Sequence, residues 1–336
     1  MATVIPSGAR NLDSRSPTQV PRFLGAPPLG MTALDRQHSS MTIENPSPLI
    51  ITTRDGRTLA YAEYGDPRGS PILYFHGFPG SRLEARAGHE GAARLGIRLI
   101  APDRPGFGQS DFAPDRTLLD WPQDVGDLAD ALGLDRFVVL GVSGGGPYAA
   151  ACAARIPERL TAVGIVSGLS PLTPDLMRLM SPLNRYGLVL AARAPGVLRV
   201  AEPVIRGVTS GYAEGLVRRL ARITAEVDRV ILSESAVGAV LAASFREAVQ
   251  RGAQGMVREA ELYAAPWSDW LREISIEVRL WHGGVDRIVP QAMGRALEQA
   301  IPRCRAEYHS DEGHFSLIVR QGERIMKALR DTRTTG

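Results

Sequence analysis

Apolar positions along the chain fall into two kinds of run. Short continuous apolar runs, bounded by Gly, Pro, Asp or Arg, alternate with longer segments whose apolar residues recur every three or four positions. The first kind reads as buried strand and the second as amphipathic helix. Residues 49–53 (LIITT) and 58–65 (TLAYAEYG) flank Asp55-Gly56, the signature of a hairpin turn. PILYFHG (71–77), IRLIAPD (97–103), RFVVLGVS (136–143), RLTAVGIVSG (159–168) and IEVRLWHGG (276–284) predict buried strands, and 306–314 holds a shorter one. Helical spacing runs over 117–132 up to Gly133, over 145–157 up to Pro157, and over 314–330. Continuous apolar strands alternating with helices predict an α/β fold, with a mostly parallel sheet covered on both faces.

Two segments break this alternation. Residues 171–270 show helical spacing and no strand run, so they read as a helical cap inserted between the strands at 159–168 and 276–284. Its Leu176, Met180, Leu188, Leu232, Val240 and Phe245 are candidates for a pocket wall or for the cap's own core, and Trp267 and Trp270 for anchoring its return to the sheet. Residues 1–48 carry Pro at 6, 17, 21, 27, 28, 46 and 48, many Ser and Thr, and no periodic apolar pattern, which reads as a flexible tail. The expected division is therefore a tail at 1–48, one α/β core from 49–170 and 271–336, and a cap at 171–270.

Composition narrows the function classes. The 336 residues are 44% apolar and 22% charged, which suits a globular chain. A net charge of +3, with no basic run interleaved with aromatics, argues against a nucleic-acid partner. Two cysteines, Cys152 and Cys304, exclude a disulfide framework and a cysteine zinc site. No apolar stretch is long enough to span a membrane, and the first residues lack a signal-peptide pattern, so the expected location is cytoplasmic. HExxH, CxxC and GxxxxGK[ST] do not occur, so no metal or cofactor is expected and the partner is a small-molecule substrate. Nothing in the sequence sets an oligomeric state.

The chemistry concentrates at Gly141-Val142-Ser143-Gly144-Gly145, a G-x-S-x-G motif between a strand and a helix. That context is what a nucleophile elbow requires, because glycines keep side chains away from a sharp turn that exposes the serine. The overlapping GGGPYA also matches a dinucleotide fingerprint, but the following strand ends in Val166-Ser167-Gly168 with no carboxylate to take a ribose. A serine nucleophile needs a base oriented by an acid. In the chain order serine, acid, histidine, Asp286 lies just past the strand at 276–284 and His314 opens the last helix. Ser143, Asp286 and His314 are thus the candidate catalytic residues. The loop His76-Gly77-Phe78-Pro79-Gly80-Ser81 is placed to supply a second oxyanion donor beside Gly144, through the Phe78 main chain, with the Phe78 ring lining the substrate pocket. His76, His282 and His309 read as structural, Asp311 as too local to His314, Asp103 as engaged in its own turn, and Cys152 as packed.

With HGFPGSR, DRPGFGQSD, GVSGGGPYA, GGVDRIVP and EGHFSL in this order, the chain resembles the α/β-hydrolase superfamily over residues 49–330. The resemblance implies an eight-stranded sheet with a helical lid inserted before the acid-bearing strand. It also implies Ser143 as nucleophile, Asp286 as acid, His314 as base, and Phe78 and Gly144 as oxyanion donors. The HGFPG loop looks like that of epoxide hydrolases and dehalogenases, which carry aspartate at the elbow where this chain has Ser143. Proline iminopeptidases carry HGGPG, and here Phe78 departs from that pattern. The expectation is a serine hydrolase forming an acyl-enzyme on esters of small hydrophobic substrates. The alternatives are a non-catalytic ligand receptor on the same fold, an aminopeptidase, a C–C hydrolase, or a cofactor-free perhydrolase.

Overall fold

The computed structural model describes residues 47–332. The expected tail therefore lies, but for its last two residues, outside the described residues. Eight strands form one sheet in the order β1-β2-β4-β3-β5-β6-β7-β8. They are β1 (Leu49–Thr52), β2 (Thr58–Gly65), β3 (Ser70–Phe75), β4 (Ile97–Pro102), β5 (Phe137–Val142), β6 (Leu160–Val166), β7 (Val278–Gly283) and β8 (Cys304–His309). The β1–β2 and β2–β4 pairs are antiparallel, and every other pair is parallel. The β1–β2 turn places Gly56 at φ +85, in the left-handed region the Asp-Gly pair allows.

Strand positions alternate between two faces, and each face is covered by helices. On one side Leu73, Phe75, Val139, Val163, Ile165 and Leu280 pack with α2 (Trp121–Ala131), α3 (Gly146–Arg155) and α12 (Gln291–Ala300). On the other, Ile72, Tyr74, Val138, Leu140 and Val166 pack with α1 (His89–Arg94) and α13 (His314–Arg330). The sequence pattern did not mark α1, the 3-10 segment Arg82–Gly88 before it, or α12. Strands also stop short of the apolar runs. β3 ends at Phe75, leaving His76 and Gly77 in the following loop, and β5 ends at Val142 because the chain turns at Ser143. β8 starts at Cys304, ahead of its predicted position, because its mixed polar residues at the sheet edge give little periodic signal.

Between β6 and β7 the chain is all helical: α4 (Pro174–Leu179), α5 (Pro182–Arg193), α6 (Pro195–Val200), α7 (Glu202–Gly211), α8 (Ala213–Ile223), α9 (Glu226–Ser233), α10 (Ser235–Ala248) and α11 (Gln254–Ala264). Met180 and Leu188 join the main core beside Tyr263, with Leu176 packed against it. Leu232 and Phe245 instead close a separate cluster with Ala213, Val217 and Leu241. Trp267 and Trp270 stack with ring centroids 5.7 Å apart and are buried in the main core. Among the described residues no helix is long and apolar enough to cross a membrane.

One buried ion pair ties this insertion to the sheet. Arg104, just past β4, donates in a fork to Glu259 of α11 at 2.7 and 2.8 Å, and both side chains are fully buried. The same guanidinium donates to the carbonyls of His76 at 2.5 Å and Gly77 at 3.1 Å, so it also fixes the loop after β3. Glu259 Oε1 further accepts from the Tyr148 hydroxyl at 2.7 Å and from Arg116 at 3.4 Å. Burial by itself would raise the Glu259 carboxyl, but Arg104 overrides it and holds the group at about 2. A fork of this geometry stabilises only while both halves are present, because one partner alone is a buried unpaired charge. Glu259→Gln keeps the shape and removes the charge, so it should lower the unfolding free energy by about 3–5 kcal/mol. Urea denaturation measures this, and an unchanged midpoint would contradict the account.

Candidate active site

The turn from β5 into α3 runs through Ser143, whose φ of +53 is in the left-handed region a non-glycine residue seldom occupies. The neighbours are glycines for steric reasons. A Cβ on Gly145 would collide with the Phe75 carbonyl, and one on Gly144 would lie 2.7 Å from both Phe78 Cβ and the Tyr263 hydroxyl oxygen. The backbone there closes on the β3 loop and on α11, while the Ser143 side chain stands at the C-terminal edge of the sheet.

His314, the first residue of α13, reaches this serine. Its Nε2 lies 3.1 Å from Ser143 Oγ, and its Nδ1 lies 2.8 Å from Asp286 Oδ2. The ionised carboxylate only accepts, so Nδ1 carries the proton and donates, leaving the Nε2 lone pair facing the serine hydroxyl. Asp286 is oriented in turn by the Ile288 and Val289 amides, which donate to Oδ1 at 2.8 and 2.9 Å. Burial pulls the His314 imidazole down, but Asp286 and then Asp228 and Glu84 outweigh it, and the net shift is upward. For Asp286 burial raises the carboxyl, and His314 more than offsets it, so the group lies below the ordinary aspartate range.

The loop after β3 supplies the facing wall. The Gly77 amide donates to the Glu84 carboxylate at 3.0 and 3.1 Å. The next amide, Phe78, meets no acceptor among the described residues. It lies beside Gly144, where a Cβ would be 3.2 Å from the Phe78 nitrogen. The Gly144 carbonyl is held by the Tyr263 hydroxyl at 2.7 Å, and the Tyr263 ring meets the Phe78 ring edge-to-face at 5.5 Å. The structure thus brings Ser143, His314, Asp286, Phe78 and Gly144 into one place.

The other histidines and acids stand apart from this line. His76 is buried, with Nδ1 2.8 Å from the Gly77 carbonyl, and burial with Arg104 holds its ring well below the usual range. His282 donates from Nε2 to the Val289 carbonyl at 2.9 Å and is 3.7 Å from Asp286 Oδ2, beneath the acid rather than beside the serine. Asp103 accepts the Gln109 amide of its own turn at 3.2 Å, but its shorter bonds, both 2.6 Å, come from the amide and the guanidinium of Arg82 in the segment after β3, so its partners reach beyond the turn. Cys152 is buried, and burial pushes its thiol up.

Sequence reasoning passed over Glu84, Arg104, Asp228 and Glu259. Asp228, on α9, accepts the amides of His314 at 2.8 Å and of Phe315 and Ser316 at 2.9 Å. Two of these residues did leave a signal. Asp228 precedes Ile231 and Leu232, and Glu259 precedes Leu262 and Tyr263, at helical spacing, so each carboxylate lies on the buried face of its helix. A charge on an apolar face needs a buried partner.

The comparisons with known proteins agree with this architecture. Residues 70–321 match the family described as alpha/beta hydrolase fold. The non-heme chloroperoxidase of Streptomyces lividans is 29% identical over 248 residues, covering 72% of this chain and 83% of that protein. The bifunctional esterase/perhydrolase DCH of Acinetobacter calcoaceticus is 34% identical over 125 residues, 36% of this chain and 45% of its own. A thermophilic esterase from Thermogutta terrifontis superposes with a TM-score of 0.60 at 25% identity, over 85% of this chain and 97% of that one. With residues 70–321, well over half of the chain, matched by the family model, the chain belongs to the α/β hydrolase fold family.

Proposed function

We propose that the protein is a serine hydrolase that cleaves carboxylic esters of small hydrophobic substrates through an acyl-enzyme. The observation that carries this reading is the unbroken line from Ser143 Oγ to His314 Nε2 at 3.1 Å and from His314 Nδ1 to Asp286 at 2.8 Å. In the first half-reaction the Ser143 proton passes to His314 Nε2 as Oγ attacks the ester carbonyl carbon. The negative charge that forms on the carbonyl oxygen is held by the Phe78 and Gly144 amides, placed before the reaction begins. The tetrahedral centre collapses, the C–O bond to the alcohol breaks, and His314 returns its proton to the departing alkoxide. In the second half-reaction water gives a proton to His314 and its oxygen attacks the acyl carbon. Ser143 Oγ leaves and recovers that proton, and the carboxylic acid is released.

The surroundings support an apolar substrate. Phe78 and Tyr263 flank the elbow at Gly144, and Met180 and Leu188 belong to the same apolar core as Tyr263. Names among the relatives favour the ester reading, since one is called an esterase/perhydrolase and a structural neighbour at 25% identity an esterase. The perhydrolase part of the first name supports a second acceptor, with peroxide replacing water in the second half-reaction on the same acyl-enzyme. The domain division read from the sequence fits this scheme, with the cap at 171–270 closing over the acyl group.

Ser143→Ala should lower kcat for p-nitrophenyl ester hydrolysis at least about 10³-fold with the fold intact by circular dichroism. Full retention of activity would contradict the assignment. His314 works as a base only when neutral, and its carboxylate neighbours raise it above the ordinary value of 6.5. Its protonation as pH falls should therefore remove kcat/KM through a limb centred above pH 6.5, and a limb below that value contradicts the electrostatics.

A further inference from the structure

At the start of helix α13 the Ser316 hydroxyl accepts the Gly313 amide at 2.8 Å, but the helix's own first amides find no local side-chain acceptor among the described residues. The residue before it, Gly313, has no side chain with which to accept the first amides of the helix, which an α-helix leaves unpaired. The acceptor comes instead from 86 residues earlier in the chain. Asp228 of α9 is fully buried, and its carboxylate takes the amides of His314, Phe315 and Ser316 at 2.8, 2.9 and 2.9 Å. A Cβ at Gly313 would collide with the same carboxylate, so the absent side chain is what lets Asp228 in. His314 is therefore gripped twice: its ring by Asp286 of the loop after β7 and its backbone by Asp228 of the helical insertion.

We propose that Asp228 is a positioning residue that holds His314 on the Ser143–Asp286 line and makes the basicity of His314 depend on the helical insertion being seated on the sheet. Its bearing on turnover rests on the reading of Ser143 and His314 given above. The carboxylate acts in two ways. Three charge-assisted hydrogen bonds fix the first turn of α13, and hence the ring, at the distance Ser143 needs. Its negative charge, at the positive end of the α13 dipole, also favours the imidazolium that forms when Ser143 gives up its proton. Among the described residues the titratable groups that act on His314 include Asp286 from the loop after β7, Asp228 from α9, Glu84 from the segment after β3, and His282 from β7. Asp286 touches the ring and fixes its tautomer, whereas Asp228 comes from the insertion and touches only the backbone of α13. Lifting α9 would withdraw both the cap and the charge, so an open insertion would carry a weaker and less ordered base.

The test is a titration of the His314 imidazole by NMR in the full chain, paired with the rate at which a fluorophosphonate labels Ser143. In Asp228→Asn the side-chain oxygen still accepts, but the charge is gone and an amide NH₂ faces a backbone N–H. The pKa of His314 should fall by about half a unit or more, the His314–Ser316 amides should exchange faster, and labelling at neutral pH should slow about tenfold. Asp228→Glu restores the charge and should recover most of the pKa. Gly313→Ala, which pushes the carboxylate away without removing it, should shift the pKa in the same direction as Asp228→Asn. A His314 pKa unmoved in folded Asp228→Asn overturns the proposal, whatever the labelling rate does, since a purely structural role would change rate alone. A wild-type protein that the fluorophosphonate does not label would instead overturn the nucleophile assignment, and the titration would still decide the role of Asp228.

Discussion

Ser143 holds a left-handed backbone at the end of β5, and the segments around it are shaped by that single conformation. A non-glycine residue in this region costs of the order of 1–3 kcal/mol, so the surroundings must over-determine it. They do so by close approach. The Ser143 carbonyl accepts the Leu169 amide at 3.2 Å, from the chain leaving β6. Gly145 backs onto the carbonyl of Phe75 in β3, and a Cβ on Gly146 would lie 2.9 Å from Gly168 Cα. Neighbouring strands therefore converge on one turn from which side chains are excluded, and the serine is the group left standing at the sheet's edge.

Buried charge is arranged around the same point. Arg104 and Glu259 bury a complete ion pair that joins the end of β4, the loop after β3 and α11. That pair fixes the wall on which the Phe78 amide lies. Asp286, Asp228 and Glu84 act on His314 from three different segments, and each raises its affinity for a proton. In a site of low effective dielectric such fixed charges act strongly and need no reorganisation as the imidazolium forms. The Glu84 carboxyl is itself pushed up by burial and held by the Tyr74 hydroxyl at 2.7 Å. It occupies the Gly77 amide and thereby leaves the next amide in the chain free to face the elbow.

Much of this was legible in the chain itself, for identifiable reasons. Parallel strands buried on both faces leave continuous apolar runs, so β3 to β7 stood out, while β8, at the sheet edge with Arg305 and Glu307, did not keep its start. Ser143 was marked by its glycines, and Asp286 and His314 by following strand ends, because the turn geometry imposes residue types locally. Asp228 and Arg104 act across long sequence separations, and no local rule ties them to their partners. Asp228 and Glu259 showed only as acids on apolar helix faces, which says that a partner exists and not which one. The position of α9 over α13, which gives Asp228 its meaning, is a property of tertiary packing alone.

The central claim is that Ser143 carries the acyl group during turnover, and acid-quenched mass spectrometry with a slowly hydrolysed p-nitrophenyl ester tests it most directly. The account predicts a burst of p-nitrophenol and a covalent mass gain of one acyl group, mapped by peptide sequencing to Ser143. Turnover of the ester with no acyl adduct on the protein, or with the adduct on another residue, would contradict it.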